Sequence, residues 1–202
     1  MNTSKFLYLL VAFITLSINA IAGEGTTTEV ERLRSCIAEV FKQKPLPSDC
    51  SYEAAVELLV EIAVVESGIV RNGRIVFVTD SNGYDYGPLQ VNLSTAIDVL
   101  SRCDLEEIRR VGGFIGNPAN RDEVREALIN NWRFGAYVIR QKYGHQSFRC
   151  PETNQRESVW LGKATLQERA DWWKKRYNTS LGAGSAEKYV RKIREVKKLL
   201  GS

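Results

Sequence analysis

Residues 53–68 read E-A-A-V-E-L-L-V-E-I-A-V-V-E-S-G, and residues 85–92 read D-Y-G-P-L-Q-V-N. In the first stretch Ala55, Leu58, Leu59 and Ile62 recur at helical spacing, which predicts an amphipathic helix. Glu66 lies four residues after Ile62, seven after Leu59 and eleven after Ala55, so it continues the apolar stripe. Glu57 and Glu61 fall on the opposite face, which the pattern assigns to solvent. A carboxyl group at the end of a buried stripe is poorly solvated when charged, so its pKa is expected to rise. Such a group stays protonated and can act as a general acid near neutral pH. The competing reading of Glu66 is a carboxylate turned to water at a fraying helix end.

The surroundings favour the first reading. Ser67-Gly68 ends the helix, and turn residues follow at Asn72-Gly73 and Asn82-Gly83. Between them Arg74–Thr79 predicts a short strand. Gly87-Pro88-Leu89-Gln90 then forms a polar elbow, so that helix, β excursion and elbow suit one wall of a cleft.

At these residues the chain resembles the family 1 lytic transglycosylases, lysozyme-fold enzymes that cleave peptidoglycan. Glu66-Ser67 followed by Asp85-Tyr86-Gly87-Pro88-Leu89-Gln90-Val91-Asn92 is similar to the family's E-S … D-x-G-x-M-Q-I-N signature. The nearest likeness is to the small exported members that accompany secretion, conjugation and pilus machines. Two further segments extend it. Asn131-Trp132 and Gly135-Ala136 resemble the family's N-I-x-x-G-A-x-Y-L segment, and Tyr177-Asn178 resembles its A-Y-N-x-G element. The departures are Pro88-Leu89 at the usual Leu-Met, Trp132 at Ile, and Ser180 where Gly is usual.

The resemblance implies a mainly α (α+β) lysozyme-like domain over residues 23–202, with a small β excursion after the Glu66 helix. It implies glycan cleavage without a cofactor or metal, by a single carboxyl group. Glu66 would protonate the leaving oxygen and then take a proton from the sugar's own C6 hydroxyl, giving a 1,6-anhydro product. Glu66 is the implied catalytic residue, with Ser67, Gln90, Asn131, Tyr177 and Asn178 around the substrate. Gln90 would hydrogen-bond the sugar, Asn131 would stand near the catalytic Glu, and Tyr177 would orient it. Tyr86, with Tyr84, Trp172 and Trp173, is a candidate for stacking on sugar rings, although one tryptophan at least belongs to the core. Each of these residues also has an ordinary structural reading, Gln90 as a loop-capping amide and Tyr177 as a core aromatic.

Two rival functions remain. A hydrolytic lysozyme would need a second carboxylate, for which Asp80 and Asp85 are the candidates. Asp85 occupies a signature position, so its expected role is structural and the hydrolase reading leans on Asp80. A glycan-binding assembly protein without turnover is the third.

Residues 1–22 have the features of a secretory signal: Lys5, an apolar run from Phe6 to Ile18, and the small-residue site Ala20-Ile21-Ala22. Export, to the periplasm in a two-membrane bacterium, makes two disulfides among Cys36, Cys50, Cys103 and Cys150 the natural expectation. The sequence does not choose the pairing, although Cys36 with Cys50 would close the shortest loop. No C-x-x-C spacing occurs and His145 is the sole histidine, so a zinc site is not indicated. A net charge of +4 is too mild for a nucleic-acid binder and is compatible with an anionic polymer such as peptidoglycan. The chain is expected to be monomeric, with components of an envelope-spanning secretion or pilus machine as its protein partners.

Further helices are expected from Glu29 to Gln43, from Ser94 or Thr95 to Ser101, from Asn120 to about Tyr143, from Thr165, and from Ala186 to Leu200. Gly135 inside one of them predicts close packing with a neighbour. Residues 144–163 look like an irregular polar insertion to which the sequence assigns no role. The last helix carries Lys188, Arg191, Lys192, Arg194, Lys197 and Lys198, expected to be a solvated face, with an anionic glycan or lipid surface as the functional alternative.

Overall fold

Helix α1 (Glu29–Gln43) opens with a capping box, in which Thr28 Oγ1 accepts from the Glu31 N–H and the Glu31 carboxylate accepts from Thr28. Thr28 is therefore the N-cap of this helix. The computed structural model describes residues 28–80, 83–145, 148–178 and 184–200. The expected signal of residues 1–22 and the positions Asn82, Ser180 and Gly182 lie outside the described residues. The chain is mainly helical, with four short strands among the described residues.

Helix α2 (Tyr52–Ser67) starts at Ser51, whose Oγ accepts from the Ala54 N–H at 3.2 Å. It is the axis of the fold. From Leu58 to Val64 every residue is buried, so the helix is enclosed and not amphipathic as its stripe predicts. The expectation of a wet Glu61 is overturned for the same reason. Glu61 is 5% exposed and forms a two-pronged ion pair with Arg169, at 2.7 and 3.0 Å, while the Tyr189 hydroxyl donates to it at 3.1 Å. Glu57 does face solvent, paired with Arg34.

The β excursion is a hairpin, β1 (Gly68–Arg71) and β2 (Arg74–Phe77), with Arg71 opposite Arg74. Asn72 and Gly73 both have positive φ, as the tight hairpin turn requires. Strand β1 was not legible as a strand in the sequence. A second ladder pairs β3 (Asp85–Tyr86) with β4 (Val91–Asn92), antiparallel, and the elbow is the turn between them.

Helix α3 (Leu93–Leu100) is capped by Asn92, ahead of the expected Ser94 or Thr95, because Asn92 Oδ1 takes both of their N–H groups. A short turn, α4 (Leu105–Glu107), runs into a π-helical segment at Ile108–Gly112. The single long helix expected from Asn120 is two helices, α5 (Arg121–Asn130) and α6 (Trp132–His145). The break falls on Asn131, which leaves helical geometry at φ −111° and ψ 89°. Its side chain accepts from the Phe134 N–H and donates to the carbonyls of Gly112 and Gly113. Gly135 does not mark a close approach, since a Cβ placed there meets nothing within 4 Å.

Helix α7 (Leu166–Trp172) continues as a π-helical turn, Trp173–Asn178, and α8 (Ala186–Leu200) closes the described chain. Residues 148–160 have a role the sequence concealed. Phe148, Val159 and Trp160 enter the core, where Trp160 meets Tyr143, Phe148 and Trp172 edge-on or tilted. Arg156 pairs with Asp49, and the Trp160 carbonyl receives the Ser51 N–H at 2.7 Å, so this segment fastens the start of α2.

The two expected disulfides are absent, and all four cysteines are free thiols. A disulfide needs the two sulfurs in bonding contact, and here they have different neighbours. Cys103 donates to the Val99 carbonyl, and Cys150 lies between Glu152 and Arg176. Cys36 sits among Arg32, Glu39 and Arg133, and Cys50 beside Arg156, Asp49 and Arg140. Burial pushes the thiols of Cys36, Cys50 and Cys103 up.

Candidate functional site

The C-terminal end of α2, the elbow at residues 87–90 and the π-helical turn at Trp173–Asn178 meet around Glu66. Ser67 shows how the first two are joined. Its hydroxyl lies 3.2 Å from the Ala63 carbonyl and 2.7 Å from the Pro88 carbonyl, so the residue after Glu66 holds the elbow. Ser67 is buried, which places it behind the site and not on the substrate path.

The elbow is over-determined. Gly87 has φ +73°, and a Cβ at this position would collide with the Leu128 carbonyl of α5, so two independent constraints demand glycine. Gln90, also at positive φ, turns its amide back to donate to the Gly87 carbonyl at 2.9 Å and the Val78 carbonyl at 3.2 Å. Those bonds assign Gln90 to the loop, where its amide joins the elbow to the end of the hairpin. The Tyr177 hydroxyl donates to the Leu89 carbonyl at 2.5 Å. Tyr177 therefore positions the elbow by a direct bond, and it lies near enough to Glu66 for the carboxylate charge to help raise its own pKa.

The direct bond to Glu66 comes from Trp173. Its indole Nε1–H donates to Glu66 Oε1 at 2.7 Å, and the side-chain amide of Asn178 faces the same carboxyl. The π-helical turn explains how one segment serves two masters. Trp173 and Asn178, five residues apart, come to the same side of the turn, while Tyr177 reaches across to Leu89. The sequence offered Trp173 only as a core or stacking aromatic. It is 1% exposed, packed tilted on Tyr189, and so not a sugar platform. Trp172, bonded to Glu157 at 2.7 Å, is likewise buried.

Tyr86 is also withdrawn from the surface, at 5% exposure with its hydroxyl on the Gly83 carbonyl, so its stacking role is overturned. Tyr84, 73% exposed, is the aromatic of that group which faces solvent. Asn131 is committed to the α5–α6 junction, as described above.

Burial holds the Glu66 carboxyl above the ordinary glutamate range, and the negative charge of Asp85 adds to the rise. The Trp173 N–H, the Asn178 amide and the Lys192 charge act in the opposite sense, without cancelling it. Lys192 reaches this end of α2 by donating from Nζ to the Val65 carbonyl at 2.9 Å. Asp85 itself accepts from the Asn92 side chain at 3.2 Å. Asp80 is exposed, in an isolated bridge with Tyr86.

A carboxyl group with a raised pKa, one oxygen fixed by a rigid indole donor, is equipped to give up a proton near neutral pH and to take one back. No family model matches this chain, and neither curated proteins nor solved structures yield a match.

Proposed function

We propose that the chain is a peptidoglycan lytic transglycosylase on a lysozyme-like scaffold, with Glu66 as its one acid and base. The observation that carries the reading is the Glu66 carboxyl itself. It is largely buried, has a raised pKa, and is held at 2.7 Å by Trp173 where the residues of the family-like signature converge. In its protonated form Glu66 would deliver a proton to the glycosidic oxygen between N-acetylmuramic acid and N-acetylglucosamine. The resulting carboxylate, stabilised by the Trp173 N–H and Lys192, would then accept the C6 hydroxyl proton as the 1,6-anhydro ring closes. Ser67, Gln90 and Tyr177 would act indirectly, by fixing the elbow through the carbonyls of Pro88, Gly87 and Leu89.

One observation keeps hydrolysis as a second reading. The charge of Asp85 reaches Glu66, so a water-activating partner would be sought there. The deciding experiment digests purified peptidoglycan and reads the released muropeptides by mass spectrometry, with Glu66→Gln as control. Products ending in anhydromuramic acid, lighter by one water than hydrolysed ones and absent from the control, support the proposal. Reducing-end products that disappear with Asp85→Asn would replace it with a lysozyme. Glycan binding without products from either protein would replace it with a non-catalytic binder.

A further inference from the structure

Helix α8 buries Tyr189, Ile193 and Val196 and turns its other side to solvent. Arg191, Arg194 and Lys198, spaced at i, i+3 and i+7, form one exposed row. Beside it runs a second row, Lys188, Lys192, Glu195 and Leu199. This row borders an open groove of about 200 Å³ between α8 and the β1–β2 hairpin. The groove is lined chiefly by Val64, Ile69, Val70, Ile75, Val196 and Leu199. Val70 is 57% exposed and Leu199 44%, so apolar side chains stand at the surface on both banks. Arg71 is exposed at the hairpin turn next to Val70.

Most of the charges on this face are not consumed internally, Lys192 and Lys197 excepted. Among the described residues Lys188, Arg191, Arg194 and Lys198 take part in no ion pair, whereas Lys197 reaches Glu61 at 3.6 Å. The acidic residues of the helix are Glu187 and Glu195, so cations outweigh anions along it. A polyanionic polymer would use the basic rows alone. Exposed Val70 and Leu199 beside an apolar groove add contact only for a partner with charge outside and hydrocarbon within.

We propose that the face formed by α8 and the β1–β2 hairpin docks peripherally on an anionic lipid bilayer. Arg71, Arg191, Arg194 and Lys198 meet the headgroups, and Val70 and Leu199 enter the boundary with the acyl chains. The inference is independent of what Glu66 does, and its test does not read glycan cleavage.

The test is co-sedimentation of the protein with vesicles of phosphatidylcholine containing phosphatidylglycerol, against vesicles of phosphatidylcholine alone. Binding is expected only to the anionic vesicles. Each cation near such a surface contributes about fivefold in affinity, so R191Q/R194Q/K198Q is expected to bind about a hundredfold more weakly. V70S/L199S is expected to bind at low salt but to lose the part of the binding that resists high salt. All five residues are exposed, and circular dichroism checks that both variants keep the fold. Failure to bind anionic vesicles, equal binding to both kinds, or indifference to the triple substitution would overturn the proposal. Binding to isolated peptidoglycan but not to vesicles would assign the basic rows to the polymer instead.

Discussion

Replacing Trp173 by Phe removes one hydrogen-bond donor from Glu66 and keeps most of the ring that packs on Tyr189. The bond spans 2.7 Å and ends on the oxygen that carries charge when Glu66 ionises. A hydrogen bond to a charged group contributes about 1.5 to 3 kcal/mol, and about 1.4 kcal/mol corresponds to one pH unit of titration. The Trp173→Phe variant should therefore hold the Glu66 proton more tightly. The alkaline limb of the pH profile for muropeptide release should move upward by about one pH unit or more. Asn178 and Lys192 remain on the carboxyl, so the limb moves but persists. Stability provides a second reading of the same bond. The Glu66 pKa is raised in the folded chain, so the group's stabilising contribution is complete below the ordinary value of 4.5 and is lost as pH rises through the folded value. Loss of the indole donor deepens that loss at neutral pH, whereas the smaller ring costs packing energy at every pH. Urea unfolding of both proteins from acid to neutral pH separates the two effects. If the alkaline limb stays in place and the stability difference is the same at all pH values, Trp173 is only a core residue and the positioning argument fails.

The other expectations follow from the same geometry. Glu66→Gln should abolish muropeptide release and raise the melting temperature at pH 7, with the gain vanishing in acid where Glu66 is already protonated; equal melting at both pH values would contradict the buried-carboxyl reading. Glu61→Ala strands the mostly buried Arg169 guanidinium and should cost about 3 kcal/mol or more in urea unfolding; a change under about 1 kcal/mol would mean that water repays the lost pair. Gly135→Ala should stabilise by up to about 1 kcal/mol, because a Cβ finds open space in the first turn of α6; destabilisation would reveal a neighbour that approaches this helix.

What the sequence made legible is what local chemistry decides. Ser51, Asn120 and Thr165 cap helices because a side-chain oxygen finds a backbone N–H two or three residues away. Asn72-Gly73 turns a hairpin because both residues accept positive φ. The stripe ending at Glu66 is likewise a property of one helix. The errors arise where the deciding partner is distant. Glu57 and Glu61 are equivalent in the pattern, yet it is Glu61 that Arg169, 108 residues later, grips with two hydrogen bonds to compensate its burial. Asn131 reads as a site residue until Gly112 and Gly113 come into reach and make it the bracket of a helix break.

Tyr177 and Trp173 show the same limit within one segment, since the bond to Glu66 comes from the indole and the phenol bonds the Leu89 carbonyl. An α-helical reading of residues 173–178 sets no preference for the indole over the phenol as the donor to Glu66. The π-helical turn decides it, carrying Trp173 and Asn178 to the carboxyl and leaving Tyr177 to the Leu89 carbonyl. The consequence is chemical. A phenol beside Glu66 could either donate or accept, whereas an indole N–H can only donate, so it favours the charged form at each encounter. Burial raises the pKa and the indole limits the rise, an opposition that suits the proposed cycle in which Glu66 both releases and recovers a proton.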